Sequence, residues 1–450
     1  MADTTAGVED QEIAPEGRCS IFPLRLETNA FRSKHSHNEP LAGPIYLLRV
    51  ASGSGVGHSL SPIAGEAFEQ RSHRSRLLRT LIAFGVESIS APSTGTTVTL
   101  ARPTREVTVI SDTMPVWAVD VPGPIDSKPL RRIERAVPDP GHGQIRVRVR
   151  ACGVCRTDLH LAEGDLMPKH RLVVPGHEVV GVIDTLGEGC VRFLVGDRVG
   201  VPWLARTCGI CRFCTEEKEN LCTDPRFTGW DLDGGYAPYV VADEAYAYEL
   251  PAIFSDEEAA PLLCAGIIGY RALRRSRLPS GGRLGIYGFG GSAHLTAQIA
   301  MAEGARVHVM TRAPEARQLA LQLGASSAGD ADDLPPEPLD SAILFAPVGN
   351  LVLPALAALD RGGTLAIAGI HLSDIPTLNY QDHLFQERNL CSVTANTRND
   401  GEEFLERAAR IPVRVSTVPY SFDHADEALS DLAHDRVTGA AVLVDTTGME

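Results

Sequence analysis

The sequence predicts an α/β protein in which a β-rich region precedes a doubly wound parallel sheet. From Trp117 to about Leu263 the chain carries short strand patterns punctuated by glycine, including the strict alternation of 144–150 (QIRVRVR). From about Cys264 onward, apolar strands alternate with helical segments, which is typical of parallel βαβ units. The chain has 450 residues, of which 44% are hydrophobic and 22% charged, so two or three ordinary globular domains are expected.

Each element follows from its local pattern. Pro314 fits the start of a helix, where a missing N–H costs little. After about Thr397, a helical and then a strand pattern indicate that the chain returns to the first domain. The predicted strands are 144–150, 179–185, 197–202, 283–287, 306–310, 341–345, 364–368, 390–395 and 440–444, and the predicted helices are 293–302, 314–323 and 400–409.

The first 113 residues differ from the remainder. They are rich in Ser, Thr, Arg, Gly and Pro, and only 75–86 (SRLLRTLIAFGV) has the pattern of a short helix. We therefore expect residues 1–113 to be a disordered or non-native extension, with Met114 as the candidate natural start. A separate regulatory domain is the alternative interpretation of this segment.

Charge and cysteine usage narrow the class of protein. The net charge of −15 argues against nucleic acid or an anionic membrane as partner. The acidic N-terminus lacks the apolar core of a signal peptide, and no run of about 18 apolar residues suggests a membrane span. Ten cysteines, several of them clustered, are then more typical of metal binding than of disulfides, which predicts a cytoplasmic protein.

Seven potential soft or borderline metal ligands fall into a group of four and a group of three. Four cysteines in one stretch have the spacing C-x2-C-x2-C-x7-C, which predicts a closed structural zinc site. An iron–sulfur cluster is the competing interpretation, but the wide last spacing fits the ferredoxin pattern badly. These four cysteines are Cys208, Cys211, Cys214 and Cys222.

The second group contains Cys155 in CGVCRTDLH, His177 in PGHE and Cys264 in PLLCAG. Three protein ligands would leave one zinc position open for a substrate. Cys152 lies three residues before Cys155 and competes with it as a ligand. Two zinc ions per subunit are therefore expected, one closed and one open.

A glycine-rich turn predicts a dinucleotide site. GFGGSA, with Gly288, Gly290, Gly291 and Ala293, follows a predicted strand and precedes a predicted helix. The first glycine permits the turn, the second lets the backbone approach a pyrophosphate, and the small Ala293 lets helix and strand pack closely. A purely structural glycine turn is the alternative.

The residues after the second strand bear on the choice of cofactor. NAD-preferring sites place Asp or Glu there to bind the ribose 2′-OH, whereas this chain has Thr311 and Arg312. Without a carboxylate there is no repulsion against a 2′-phosphate, and the Arg312 guanidinium could pair with that phosphate. This predicts a preference for NADP(H). The alternative is a solvated Arg312, with NAD held by other contacts.

Six motifs occur in a characteristic order: CGVCRTDLH, PGHE, the four-cysteine lobe, DGGYAPY, PLLCAGIIGYRAL and GFGGSAH. Over about 114–450 the chain resembles the zinc-dependent alcohol dehydrogenases of the medium-chain dehydrogenase/reductase superfamily. The resemblance implies a GroES-like catalytic domain at 114–263 that carries the structural zinc lobe. It also implies a Rossmann NAD(P)-binding domain at 264–397 and a return to the catalytic domain at 398–450.

The resemblance also assigns roles to residues. It selects Cys155 over Cys152 as a ligand of the catalytic zinc, together with His177 and Cys264. It places the Glu178 carboxylate near that metal and the Asp158 carboxylate where it orients His177. Among the other residues that it assigns, Thr157 and His160 form a proton relay through the cofactor ribose to water, and Arg156 contacts the cofactor pyrophosphate.

The implied activity is reversible hydride transfer between a primary or secondary alcohol and NAD(P), giving an aldehyde or ketone. The implied partners are a small-molecule alcohol or aldehyde and further copies of the chain, as a dimer or tetramer. Two alternatives remain open. One is an aldehyde reductase that uses NADPH, and the other is a non-catalytic, zinc-stabilised dinucleotide-binding sensor.

Overall fold

The structure is a computed structural model that describes residues 88–90, 97–99, 112–411 and 413–445. The chain divides into two compact units, Met1–Val107 and Thr108–Glu450. In the first unit the described residues form two antiparallel strands, β1 (Ser88–Ser90) and β2 (Thr97–Thr99). The predicted helix at 75–86 lies outside the described residues, as does most of the segment expected to be disordered.

The second unit holds the remaining elements. Its strands are β3 (Thr113–Val119), β4 (Leu130–Ala136), β5 (Gln144–Val154), β6 (Val179–Leu186), β7 (Arg198–Val201), β8 (Leu204–Arg206), β9 (Arg226–Phe227), β10 (Tyr239–Asp243), β11 (Tyr248–Glu249), β12 (Arg283–Tyr287), β13 (Arg306–Met310), β14 (Ser327–Gly329), β15 (Leu339–Leu344), β16 (Leu359–Ile367), β17 (Asn389–Ser392), β18 (Thr417–Ser421) and β19 (Ala440–Val444). Its helices are α1 (Arg156–Glu163), α2 (Arg212–Thr215), α3 (Asp256–Ala259), α4 (Ala265–Arg275), α5 (Gly291–Ala302), α6 (Pro314–Gln322), α7 (Val352–Ala357), α8 (Tyr380–His383), α9 (Arg398–Arg410) and α10 (Ala425–Ala433).

The β-rich part is organised around β5. The sheet order is β11-β7-β6-β5-β19-β18, and β10 also pairs with β5. The alternating residues predicted at 144–150 form the first part of β5, and the strand continues to Val154 because β6 and β19 pair with its second half. Cys155 follows directly, so the pairing of β5 with the C-terminal strand β19 fixes where α1 begins.

The second part is a six-stranded, fully parallel sheet with the order β14-β13-β12-β15-β16-β17. Strands β12 and β13 form over the residues predicted for them, 283–287 and 306–310. Strands β13 and β15 lie on opposite sides of β12, so the strand order reverses there. In an open parallel sheet, ligands bind at the carboxyl ends of the strands at such a reversal, so this edge is where the GFGGSA turn belongs.

Helix α9 packs with the parallel sheet and also touches the β-rich part, where its Gly401 lies against the Tyr248 ring of β11. Its residues Phe404, Leu405 and Ala408 share one buried cluster with Ile267 of α4 and Leu284 of β12. Strands β18 and β19 then join the first sheet. Among the described residues, no helix has the length and apolar character needed to cross a membrane.

The packing of α9 generates a stability prediction. Leu405 is 3% exposed within the shared cluster, whereas Leu334 is 74% exposed. Replacement of Leu405 with Ala should lower the free energy of unfolding by about 2–5 kcal/mol, because it removes buried methyl groups and leaves a cavity. The matched Leu334→Ala change should stay within about 0.5 kcal/mol of wild type. Urea unfolding followed by circular dichroism measures both, and equal midpoints in the two variants would contradict this packing.

Candidate active site and metal centres

The first turn of α1 carries several of the predicted site residues. Cys155 is the residue that caps the helix N-terminus, and its backbone N–H donates to Asp158 Oδ2 at 2.9 Å. Thr157 and Asp158 are buried in this turn, and His160 lies one turn further along. The helix start therefore aims a thiol, a hydroxyl and a carboxylate into one place, with the N-terminal end of the helix dipole favouring a thiolate.

Asp158 connects α1 with the PGHE segment that precedes β6. Its Oδ1 accepts from the backbone N–H of Gly176 at 3.0 Å and pairs with His177 Nδ1 at 3.1 Å. A carboxylate only accepts, so Nδ1 of His177 is the donor and Nε2 is the atom left for a metal. Nε2 of His177 is buried and has no hydrogen-bond partner among the described residues, which is the environment that a metal ligand needs.

Two opposing effects act on the charge of His177. Burial alone would lower the pKa of His177, but Asp158 and Cys155 together outweigh it and raise that pKa well above its usual value. The surroundings of the ring therefore favour a positive charge there, and a cation bound at Nε2 would supply one.

Glycine is required at two points beside this network. Gly176 has φ of +98°, and a methyl group there would lie 2.6 Å from the Tyr236 ring and 2.8 Å from Cys152 Sγ. A methyl group at Gly153 would lie 1.7 Å from Glu178 Oε2. The absence of these two side chains makes room for the PGHE segment and for the Glu178 carboxylate.

The second thiol comes from the other half of the unit. Cys264 caps the N-terminus of α4, and its Sγ lies 4.0 Å from Cys155 Sγ. Two sulfurs at about 2.3 Å from one tetrahedral zinc would lie about 3.8 Å apart, so this spacing fits a shared metal. Ligand atoms of Cys155, His177, Glu178 and Cys264 all lie within 4.8 Å of one another.

The electrostatics of this group are those of a cation site. A hydrogen bond from Cys264 lowers the pKa of Cys155 well below its usual value, and the same bond raises the pKa of Cys264. The contact between the two sulfurs thus favours the charged form of Cys155, and a metal bound there would hold both as thiolates. Burial raises the pKa of Glu178 well above its usual value.

Cys152, the competing ligand, lies outside this group. Its side chain is 0% exposed in the core of the β-rich part, and burial raises the pKa of its thiol. The geometry therefore agrees with Cys155, and not Cys152, as the ligand.

The four-cysteine lobe lies between β8 and β9. Neighbouring sulfurs are 3.9 Å apart for Cys208 and Cys214, 3.6 Å for Cys211 and Cys214, and 3.5 Å for Cys222 and Cys208. Sulfur atoms of Cys208 and Cys222 also accept backbone N–H groups at 3.3–3.4 Å. Four sulfurs this close, with N–H donors aimed at them, fit a closed site for one zinc ion.

Local surroundings give the thiols of the lobe different pKa values. The backbone N–H groups of Cys214 and Thr223 lower the pKa of Cys211 to about 6. Burial instead raises the pKa of Cys222 to about 11. The lobe is anchored to the segment before α9, where Asn220 donates to the Thr394 carbonyl at 2.9 Å. A bound cation would convert all four thiols to thiolates and stabilise the loop.

The residues predicted for proton transfer and phosphate binding take different positions. Thr157 Oγ1 lies 3.8 Å from the Sγ atom of Cys155, one of the predicted zinc ligands. His160 is half-buried and pairs through Nδ1 with Asp165 Oδ2 at 2.9 Å. Arg156 instead forms an ion pair with Asp435, after α10, and is 48% exposed. A contact between Arg156 and a pyrophosphate would have to compete with that ion pair.

The glycine turn is open on the side where a phosphate would approach. Gly288 has φ of +84°, and a methyl group there would meet Ala346 at 2.9 Å. Gly290 caps α5, and a methyl group there would have no neighbour within 4 Å. Gly291 begins α5, and Ala293 is 1% exposed against the core. The turn therefore fits a pyrophosphate at the helix N-terminus.

Thr311 and Arg312 follow β13 at the carboxyl edge of the sheet. Thr311 is buried and its N–H donates to the Gly329 carbonyl at 3.1 Å, whereas Arg312 is exposed. The two carbonyls are held by Arg317 Nη1 at 2.9 and 3.1 Å, and Arg317 also pairs with Asp330 at 2.9 Å. Sequence reasoning missed Arg317 and Asp330, because their contact depends on the unpredicted strand β14.

An aromatic wall beside the metal group was also missed. The Trp203 ring meets the His177 ring edge-on, with centroids 4.9 Å apart. Trp203 stacks on Phe227 at 4.8 Å and on Trp230 at 6.0 Å. The three residues flank the four-cysteine lobe in sequence, which is the signal that could have found them. They give the cleft a flat apolar surface next to the metal ligands.

The fold and the two cysteine groups are those of a two-domain, metal-binding dehydrogenase. Residues 141–252 match the alcohol dehydrogenase GroES-like domain, and residues 291–410 match the zinc-binding dehydrogenase family. A Mycobacterium tuberculosis protein named "Probable alcohol dehydrogenase AdhA" is 59% identical over 337 residues, which cover 74% of this chain and 97% of that protein. An alcohol dehydrogenase of Geobacillus stearothermophilus is 35% identical over 325 residues, which cover 70% of this chain and 96% of that protein.

Solved structures agree with these matches. A Helicobacter pylori protein named CAD, complexed with NADP(H), has a TM-score of 0.68 and 25% identity, covering 74% of this chain and 99% of that one. A cinnamyl alcohol dehydrogenase from Sorghum bicolor has a TM-score of 0.67 and 27% identity, covering 74% of this chain and 97% of that one. The chain therefore belongs to the zinc-type alcohol dehydrogenases of the medium-chain dehydrogenase/reductase superfamily. The resemblance and the fold predicted from the sequence motifs are confirmed.

The open space at Gly290 generates a prediction about the dinucleotide. Replacement of Gly290 with Ala should leave the melting temperature unchanged, because the new methyl group meets no protein atom within 4 Å. It should weaken dinucleotide binding by about tenfold or more, because the methyl group occupies the approach of the pyrophosphate. Fluorescence titration with NADPH and NADH measures the dissociation constants. Unchanged affinity with an unchanged melting temperature would place the phosphates elsewhere.

Proposed function

We propose that this protein is a zinc- and NAD(P)-dependent alcohol dehydrogenase that reversibly transfers hydride between a primary or secondary alcohol and the nicotinamide ring. The observation that carries the proposal is the group formed by Cys155, His177 and Cys264. Its sulfurs are 4.0 Å apart and His177 Nε2 is buried without a partner among the described residues. Three such ligands leave one position of a tetrahedral zinc open for substrate.

Each cysteine group would hold one zinc ion, which gives two ions per subunit. Cys155, His177 and Cys264 would hold the catalytic ion, and the four-cysteine lobe would hold the structural ion. The catalytic ion, when bound, supplies Lewis-acid polarisation of the alcohol or carbonyl oxygen. Asp158 keeps the His177 ring in the orientation that presents Nε2.

The remaining roles fall to side chains around this group. Thr157, whose Oγ1 lies 3.8 Å from Cys155 Sγ, would take up the hydroxyl proton of the alcohol and pass it outward. His160, three residues later on α1, would receive that proton. Glu178 is buried beside the metal ligands and adds an acceptor there. The GFGGSA turn would hold the pyrophosphate at the start of α5.

The choice of NADP(H) over NAD, and the main direction of the reaction, are a further part of the proposal. Thr311 and Arg312 stand where an NAD-preferring site has a carboxylate, and the Arg317 contacts fix both of their carbonyls. This supports NADP(H), and with it the alternative of an aldehyde reductase working mainly in the reducing direction. The non-catalytic sensor is less well supported, because binding alone would need neither an open metal group nor the Thr157 and His160 pair.

The domain boundaries, location and assembly are also proposals. The relative from M. tuberculosis matches 74% of this chain over 97% of its own length, which supports a catalytic part that leaves out about a quarter of the chain, as 114–450 does. The nine described cysteines are all free, as expected in the cytoplasm. A small-molecule alcohol or aldehyde is the proposed substrate. Assembly into a dimer or tetramer rests on family resemblance alone.

The metal assignment predicts a contrast between the two cysteine groups. Following nicotinamide absorbance with a panel of alcohols and aldehydes should reveal turnover that a zinc chelator abolishes. His177→Ala should lower kcat by about 10³-fold or more while sparing NADPH binding, because only the Lewis acid is lost. Cys211→Ser should instead lower the melting temperature and the zinc content, because it opens the closed site.

The control is Cys391→Ser, since Cys391 lies outside both groups and is half-buried. It should retain the turnover, melting temperature and zinc content of wild type. Full activity in His177→Ala, or absence of turnover on every carbonyl and alcohol tested, would refute the proposed function.

Arg312 gives a separate prediction about the cofactor. Wild type should have a higher kcat/KM with NADP than with NAD, and Arg312→Ala should reduce the ratio by about 10–100-fold through loss of a charge-assisted bond to the 2′-phosphate. Arg361→Ala removes another exposed cation, from strand β16 of the same sheet, and should leave the ratio unchanged. A wild-type enzyme with a much higher kcat/KM for NAD than for NADP would contradict this assignment.

A further inference from the structure

A second imidazole lies against the relay histidine. His371 follows strand β16, at the carboxyl edge of the parallel sheet, while His160 is on α1 of the β-rich part. Their ring centroids are 5.7 Å apart and their planes are tilted by 43°. The two rings therefore meet across the cleft between the two parts of the unit, next to the edge where a dinucleotide binds.

The environment of His160 decides which of its nitrogens can exchange a proton. Asp165 Oδ2 lies 2.9 Å from Nδ1 of His160, and a carboxylate only accepts, so Nδ1 carries the hydrogen of that bond. Nε2 is then the basic atom of the neutral ring. Asp165 is the charged side chain that the structure places on His160, and His371 is the titratable side chain that faces it from the parallel sheet.

The two histidines differ in their access to water. The His160 side chain is only 17% exposed, whereas His371 is exposed. A proton that arrives on His160 thus has an exposed imidazole beside it, reachable directly or through one water molecule. Imidazole suits this position because it both accepts and releases protons near neutral pH.

We propose that His371 is the outer station of the proton route, a positioning and proton-transfer residue that receives the proton from His160 and releases it to solvent. The inference rests on the proposed function. Oxidation of one alcohol moves a hydride to the nicotinamide and leaves one proton. That proton passes from the Thr157 hydroxyl side to Nε2 of His160, then to a ring nitrogen of His371, and then to water or buffer, so charge and atoms balance. Reduction of a carbonyl uses the same route inward.

The test uses the full chain and the alcohol that gives wild type its highest turnover. His371→Ala should lower kcat for alcohol oxidation by about tenfold in weak buffer, with KM and the NADPH dissociation constant unchanged. Added imidazole should restore kcat in His371→Ala in proportion to its concentration, while wild type should not respond. His371→Gln keeps a polar side chain of similar length and should behave like His371→Ala, because an amide does not relay protons at neutral pH.

The matched control is His424→Ala, which removes an exposed imidazole from the turn after β18. It should match wild type in every measurement. A His371→Ala variant with wild-type kcat and no buffer dependence would overturn the proposal, as would a loss of kcat that imidazole does not restore, since that marks a structural role. Wild type without any alcohol turnover would instead overturn the proposed function itself, so the two failures are distinguishable.

Discussion

The active-site geometry depends on the buried carboxylate of Asp158. It accepts from the backbone N–H groups of Cys155 and Gly176 and from His177 Nδ1, at 2.9–3.1 Å, and is itself 1% exposed. One side chain thereby sets the start of α1, the path of the PGHE segment and the direction of the ligand nitrogen. Loss of any of these bonds would leave a buried polar group unpaired, at a cost of about 1–3 kcal/mol each. The pairing of β5 with β19 also fixes the start of this helix, because β5 ends directly before Cys155.

The sequence predicts those parts of the fold whose signal is local. Strands β12, β13 and β19 form over their predicted residues, because each is a short apolar run bounded by glycine or turn residues. Strand β14 was missed, since three small residues carry no periodicity and its existence depends on parallel pairing with β13. The helix predicted at 400–409 was found, but its packing against α4 could not be foreseen, because it depends on Phe404 filling the space that Gly266 leaves open.

The same distinction holds within the site. The four-cysteine lobe and the glycine turn were predicted from local spacing, whereas the roles of Cys155, His177 and Cys264, which lie far apart in the sequence, were assigned through the family resemblance. The contacts of Arg156 and His160 could not be predicted, because Asp435 lies 279 residues from Arg156 and His371 comes from the other part of the unit. Trp203 was overlooked for a related reason, since its place beside the lobe marks it in the sequence but the stacking of Phe227 and Trp230 on it arises only in the fold. Local motifs therefore predict candidate ligand atoms, whereas the side chains that contact those ligands are set by the tertiary fold.

The charges around the site explain why folding and metal binding belong together. Cys155, Cys264, Glu178 and Asp158 bring four acidic groups into one buried region, where Asp158 forms an ion pair with His177. Burying negative charge without a cation is costly, and this cost raises the pKa of Glu178 through burial and the pKa of Cys264 through its hydrogen bond to Cys155. A divalent cation at the buried Nε2 of His177 would balance both thiolates at once. The ion that polarises the substrate oxygen would therefore also stabilise the folded arrangement of its own ligands.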